Sequence, residues 1–186
     1  MSEKTKVVGV TGPTGAGKST VCRSFQKSGC EIIDADEIAH DILKNNPECK
    51  QDIIKSFSEE ILNNDGEIDR KKLAKKAFRD VSQTEILNNI MYPHIVIKIA
   101  NDLFECQKNG VRVCVIDAAQ LFESGIDKFC DVVIAVLAPY RVRLERIMNR
   151  DNMSEHDAKM RLEVQSSDEF YKSKTPYIID GTKFLQ

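Results

Sequence analysis

The chain lacks any stretch near the ~18 consecutive apolar residues that a bilayer-spanning helix requires, so no membrane-embedded protein is expected. No secretory signal is expected, because residues 1–6 are polar and the apolar run behind them is too short. Neither sign of charge dominates. With 27 basic and 29 acidic residues the net charge is −2, which leaves no field to draw the chain onto nucleic acid or a membrane surface. The six cysteines, at 22, 30, 49, 106, 114 and 130, include no Cys-x-x-Cys pair, and His40, His94 and His156 are too scattered for a metal site. They are expected to be reduced small hydrophobes in a cytoplasmic protein. Internal repeats, low-complexity linkers and the Asn-Lys-x-Asp element of guanine-specific switches are missing as well.

What is present alternates strand and helix within the length of one domain. An apolar run at 6–10 predicts a strand buried on both faces. Val21, Cys22 and Phe25 then keep helical spacing over 18–28, with Gly29 as the stop. Residues 30–33 predict a second strand and 36–43 a second helix. From 47 to 104 the pattern is almost wholly helical. Asp69 caps a short helix there, a Ser82-x-x-Glu85 box starts another, and Pro93 opens a third that ends at Gly110. Strands resume at 111–116 and 132–137, Pro139 opens a basic helix through Arg150, Ser154 caps the next, and 177–179 is a last strand. The fold class is α/β, one domain with a core over about 5–43 and 111–181. The helical middle, about 44–110, is an insertion over the edge of a parallel sheet, and about 140–174 is expected to form a cover.

The run Gly12-Pro13-Thr14-Gly15-Ala16-Gly17-Lys18-Ser19 lies between the first strand and the first helix. In that context Gly-x-x-x-x-Gly-Lys-Ser holds a nucleoside triphosphate. Glycines let successive backbone N–H groups turn toward phosphate oxygens, and the helix start adds its positive end. Lys18 supplies an ammonium for the β- and γ-phosphates, Ser19 a hydroxyl for Mg²⁺, and Thr20 a contact to the α-phosphate. With Gly12, Thr14, Gly15, Ala16 and Gly17 these residues form the expected ATP site of a magnesium-dependent phosphoryl-transfer enzyme.

Carboxylates stand where such chemistry needs them. Asp34 and Asp36 close the second strand, at the sheet edge that faces ligands in parallel α/β folds. Transfer to an alcohol needs a group that orients the hydroxyl and takes its proton, and Asp36 is the candidate, the plain alternative being a helix cap. Asp117 ends the third strand and suits Mg²⁺, while Glu123 is a weaker candidate for a metal-bound water or the substrate. Arg143, Arg146 and Arg150 share a helix face by their i, i+3, i+7 spacing. Such a face is either solvated surface or a set of cations over the nucleotide phosphates, with Arg146 the candidate for the transition state.

Taken together, several stretches resemble the dephospho-coenzyme A kinase family over residues 7–181. They are Gly-Val-Thr-Gly-x-x-Gly-Ala-Gly-Lys-Ser-Thr-Val at 9–21, Ile-Asp-Ala-Asp-x-Ile-Ala-His at 33–40, and Gly66-x-Ile68-Asp69-Arg70-x-x-Leu73. The others are Leu121-Phe122-Glu123 and Arg143-Leu144-x-Arg146-x-x-x-Arg150 with Gln165. The resemblance implies a P-loop kinase fold with a five-stranded parallel sheet, a helical substrate region and a lid. It also implies transfer of the γ-phosphate of ATP to the ribose 3′-hydroxyl of dephospho-coenzyme A. By position, Asp36 matches the family's base and substrate contact, Arg70 a substrate-binding arginine, and Arg146 and Arg150 lid arginines near ATP. Tyr92, Gln120 and Glu123 complete the expected acceptor pocket. Where the family usually has His-Pro this chain has Tyr92-Pro93, and for Pro-Leu-Leu it has Ala119-Gln120-Leu121. Another small-molecule, nucleoside or nucleotide kinase is the alternative, and a nucleotide-binding switch the alternative from another class. The expected partner is the small-molecule acceptor, with no nucleic acid or membrane, acting on a monomer or weak homo-oligomer.

Overall fold

Runs of valine and isoleucine build the sheet of this computed structural model, which describes residues 4–183. Its strands are β1 (Lys6–Thr11), β2 (Glu31–Asp34), β3 (Val113–Asp117), β4 (Val132–Leu137) and β5 (Tyr177–Asp180). All neighbours are parallel, in the order β2-β3-β1-β4-β5. The central β1 pairs Val8 with Val115 on one side and with Val132 on the other. β-Branched side chains suit a sheet covered on both faces, and Val10, Val115 and Val136 are all buried. After β1 the chain crosses to the outer strand β2 and returns to β3 on one side of β1, then passes to β4 and β5 on the other. The C-terminal end of β1 is therefore the switch point where an open parallel sheet leaves a crevice for ligands.

Helices flank the sheet. α1 (Lys18–Lys27) turns Val21 and Cys22 inward against Val10 and Val115. The basic helix α6 (Tyr140–Asp151) and α7 (Glu155–Glu163) share the buried cluster Ile147, Ala158 and Leu162. α8 (Asp168–Lys174) places Tyr171 against Ala135 and Leu137 of β4. As expected, Pro139 precedes α6 and the Ser154 side chain caps α7 by accepting from the Asp157 N–H.

The described chain divides into two compact units, the sheet-bearing one of residues up to 34 and from 103, and a helical one of residues 35–102. The helical unit contains α2 (Ala35–Asn45), α3 (Pro47–Phe57), a 3-10 turn at Glu59–Ile61, α4 (Arg70–Ala77) and most of α5 (Val81–Lys108). Ile53, Phe57, Ile61, Leu73 and Ala77 are buried in it. Asp69 caps α4 as expected, accepting from the N–H groups of Lys71 and Lys72.

Two local expectations are corrected here. Pro93 starts no helix but lies inside the 28-residue α5, and Ser82 is the second residue of that helix and not its cap. The capping carboxylate is Asp80, which accepts from the Gln83 N–H at 2.9 Å. An interior proline removes one N–H and crowds the carbonyl four residues back, here that of Asn89, at a cost of about 3 kcal/mol. Met91, Ile95 and Ile99, buried on either side of it, offset that cost at roughly 1.5–3 kcal/mol each. Burial outweighs the local break. Among the described residues no helix is long and apolar enough to cross a membrane.

Candidate active site

The loop between β1 and α1 is set flush against its neighbours. Gly12 has φ +138°, and a Cβ there would lie 2.1 Å from the Val136 carbonyl oxygen of β4. No other residue combines that backbone with that clearance. Thr11, fully buried, donates its hydroxyl to the Ala119 carbonyl at 3.2 Å and so ties the loop's start to the segment after β3. At its far end the loop enters α1 through Gly17, which has φ +108° and no side chain with which to cap the helix. α3, α4, α7 and α8 all begin with a side-chain cap. The start of α1 thus has no side-chain cap, the arrangement in which a helix N-terminus can bind an anion.

Cations hold the loop's carbonyls. Lys18 Nζ donates to the Gly12 oxygen at 2.9 Å. Arg146 Nη1 donates to the oxygens of Gly15 and Ala16 at 3.0 and 3.1 Å, and its Nη2 to the Gly181 oxygen at 3.0 Å. In a trans peptide C=O and N–H are antiparallel, so fixing the Ala16 carbonyl turns the Gly17 N–H away from Arg146. Gln165 accepts at Oε1 from the Thr14 N–H at 3.1 Å and from its hydroxyl at 3.3 Å. Gly181 follows β5 and packs so tightly that an added Cβ would sit 1.8 Å from the Ala16 oxygen. Gly181→Ala is accordingly expected to lower stability by about 1–3 kcal/mol through overpacking, and to weaken ATP binding by displacing the loop. Thermal unfolding and nucleotide titration of the variant check this, and native values of both would remove the contact's importance.

The acids and bases expected to act here lie as follows. Asp34 and Asp117 are register partners at the C-terminal ends of β2 and β3, and Val10 of β1 is the partner of Asp117 on its other side. The Cys22 thiol is pushed well above the usual thiol range, first by burial and then by the charge of Asp117, to which it is hydrogen-bonded. It is a neutral donor to a carboxylate and not a nucleophile. Ser19 is exposed in the first turn of α1, with Thr20 half-buried beside it. Gln120 and Glu123 are exposed on the turns after β3, and the Ser166 hydroxyl donates to Glu123 Oε1 at 3.4 Å. In the helical unit, Asp36 is exposed in the first turn of α2, Arg70 is the exposed first residue of α4, and Tyr92 is half-buried in α5.

The three arginines expected to act as one face have three different surroundings. Arg143 is buried, Arg146 straps the loop, and Arg150 is paired with Asp151 through Nε at 2.7 Å and Nη2 at 2.9 Å. Asp151 also accepts from Arg161 at 2.7 Å, and the Arg150 hydrogen bond first, with both arginine charges, holds its carboxyl below the usual range.

A strand, an uncapped loop and a helix of this kind are common to many nucleotide-binding proteins, and similarity to known proteins narrows the choice. Residues 6–185 match the family model described as Dephospho-CoA kinase. The chain belongs to the dephospho-CoA kinase family. It is 36 % identical over 180 residues to the Dephospho-CoA kinase of Arabidopsis thaliana, covering 97 % of this chain and 78 % of the relative. To the Dephospho-CoA kinase of Fusobacterium nucleatum it is 37 % identical, covering 97 % and 91 %. Among solved structures, the Dephospho-CoA kinase from Campylobacter jejuni is similar at a TM-score of 0.66 and 32 % identity, covering 93 % of this chain and 86 % of that one. The sheet order and loop are those of a P-loop kinase fold.

For this member of the dephospho-CoA kinase family, the sheet unit brings the consecutive Lys18, Ser19 and Thr20 together with Asp117, Arg146 and Gln165, which are remote from them in sequence. Gln165 is left out of the expected nucleotide set although it stands in the family-like pattern, because nothing local distinguishes a glutamine that reaches a loop 151 residues away. The Asp151–Arg161 pair is missed too, and carries no periodic signal.

Proposed function

We infer that the chain transfers the γ-phosphate of ATP to the ribose 3′-hydroxyl of dephospho-CoA, giving CoA and ADP. The observation that carries this reading is the loop at 12–19, whose carbonyls are taken by Lys18 and Arg146 while the start of α1 has no side-chain cap. Membership of the family supplies the acceptor. In the transfer, the bond from the γ-phosphorus to the β–γ bridging oxygen breaks and a bond to the 3′-oxygen forms. The hydroxyl proton passes to the Asp36 carboxylate, and ADP leaves. Lys18 supplies positive charge to the moving phosphoryl group, with Arg146 and Arg150 as further cations for the triphosphate. Arg70, Tyr92, Gln120 and Glu123 are assigned to the acceptor.

Mg²⁺ fits the donor set that remains. It takes only one or two protein oxygens and fills the rest of its octahedron with phosphate and water. Ser19 Oγ and the Asp117 carboxylate are such hard donors, and Asp34 is beside Asp117 in register. The ion would neutralise charge shared by the β- and γ-phosphates. All six cysteines are free thiols, which suits the reducing cytoplasm.

The test is ADP release coupled to product identification by mass. Dephospho-CoA as acceptor is expected to give CoA and ADP in equal amounts, and a panel of nucleosides to give neither. ADP formed with a nucleoside but none with dephospho-CoA would overturn the acceptor while keeping the kinase.

A further inference from the structure

Arg143 is a buried charge with no task in the mechanism above. It is 9 % exposed, and its Nε and Nη1 are buried without a hydrogen-bond acceptor. Arg141, Arg150 and Arg161 nearby each hold a carboxylate. Among the described residues Arg143 holds none. A guanidinium cannot shed its proton to escape the cost, as a buried lysine can. Desolvated donors left unused are among the least favourable features a fold can carry, and they persist where a ligand restores the lost interaction.

The surroundings of Arg143 say which ligand. Its main chain forms a wall of the phosphate loop: a Cβ on Gly15 would lie 2.8 Å from the Arg143 carbonyl oxygen and 3.1 Å from its Cα. Its charge is felt at Tyr171, whose phenol is pushed up to about 12 by burial and then by Glu123, with the Ser166 hydrogen bond and Arg143 acting in the opposite direction. The same Ser166 reaches Glu123. Arg143 thus lies with its main chain against the phosphate loop and its charge within range of Tyr171. A planar fork of N–H donors matches the oxygens of a phosphate better than any other side chain does.

We propose that Arg143 is a substrate-binding residue whose unused Nε and Nη1 donate to a phosphate oxyanion of a bound substrate. This rests on the phosphate-loop reading, and the oxyanion belongs either to the ATP donor or to the phosphates of dephospho-CoA.

The variants are Arg143→Met, which keeps the length without charge, and Arg143→Lys, which keeps the charge without the fork. Each is compared with the natural protein in ligand-free thermal unfolding and in separate titrations with a non-hydrolysable ATP analogue plus Mg²⁺ and with dephospho-CoA. For Arg143→Met the ligand-free melting temperature is expected to stay level or rise, because a buried unpaired charge is gone. Its affinity for one of the two ligands is expected to fall about 10–100-fold, with Arg143→Lys in between. The ligand that weakens identifies the phosphate. Unchanged affinity for both ligands in both variants overturns the proposal, and so does a lower melting temperature with both affinities kept, which marks a structural arginine. If Arg143→Met does not fold, Arg143→Lys decides alone, natural affinity for both ligands counting against the proposal. Failure of the natural protein to bind the ATP analogue would instead sink the phosphate-loop reading, and this inference with it.

Discussion

Lys18→Ala is expected to lower phosphoryl transfer by roughly 10²–10³-fold or more, the scale seen when one charge-stabilising donor is removed. The ammonium donates to the carbonyl of Gly12 at 2.9 Å. Its loss therefore costs the fold little, about 0.5–1.5 kcal/mol for one net hydrogen bond. Its loss costs the reaction far more. A phosphoryl group in flight spreads negative charge over its oxygens, and a preset cation in a site shielded from water lowers that barrier directly. Melting temperature and ADP release are to be measured on the same preparation. A folded variant turning over within 10-fold of the natural protein would show that the loop holds no reacting nucleotide.

Asp36→Asn is expected to reduce turnover by about 10²–10⁴-fold while ATP binding is kept, the range for loss of a general base. Asn has nearly the shape of Asp and serves almost as well at a helix start, so the beginning of α2 survives the change. What disappears is the ability to take the proton of the attacking hydroxyl. The reading predicts a fall in kcat with little change in KM for ATP. Turnover near that of the natural protein removes Asp36 from the role of base. Loss of stability with turnover per folded molecule preserved would make it a helix cap instead.

How far sequence pattern fixes structure follows the range of the forces involved. The strand at 132–137 has the bounds expected of it, because an unbroken apolar run is a local property. The caps at Asp69 and Ser154 are equally local, each a side chain meeting an N–H two or three residues on. Pro93 shows where local rules stop. Its sequence context says helix start, yet the burial of Met91, Ile95 and Ile99 carries α5 straight through it.

The candidate site residues divide in the same way. Gly12 to Thr20 are legible as a candidate phosphate cradle because its chemistry is written into consecutive residues, and the neighbouring positions of Asp34 and Asp117 because strand ends gather at one edge of a parallel sheet. Arg143, Arg146 and Arg150 are legible only as a shared side of one helix. Which of them is buried, which holds the loop and which meets an acid depends on what lies opposite, and no spacing within α6 encodes that.

By itself, then, the order of residues determined an α/β protein with a triphosphate loop, since hydrophobic period and turn chemistry act over a few neighbours. Only the tertiary structure decided how that loop is held. Arg146 reaches residues 15, 16 and 181, and Gln165 reaches residue 14, through side-chain contacts between positions up to 151 apart in the chain. Such contacts exist because the strand order β2-β3-β1-β4-β5 brings remote segments to the same edge. Their hydrogen bonds depend on that proximity, and separation along the chain has no bearing on it once the sheet has formed.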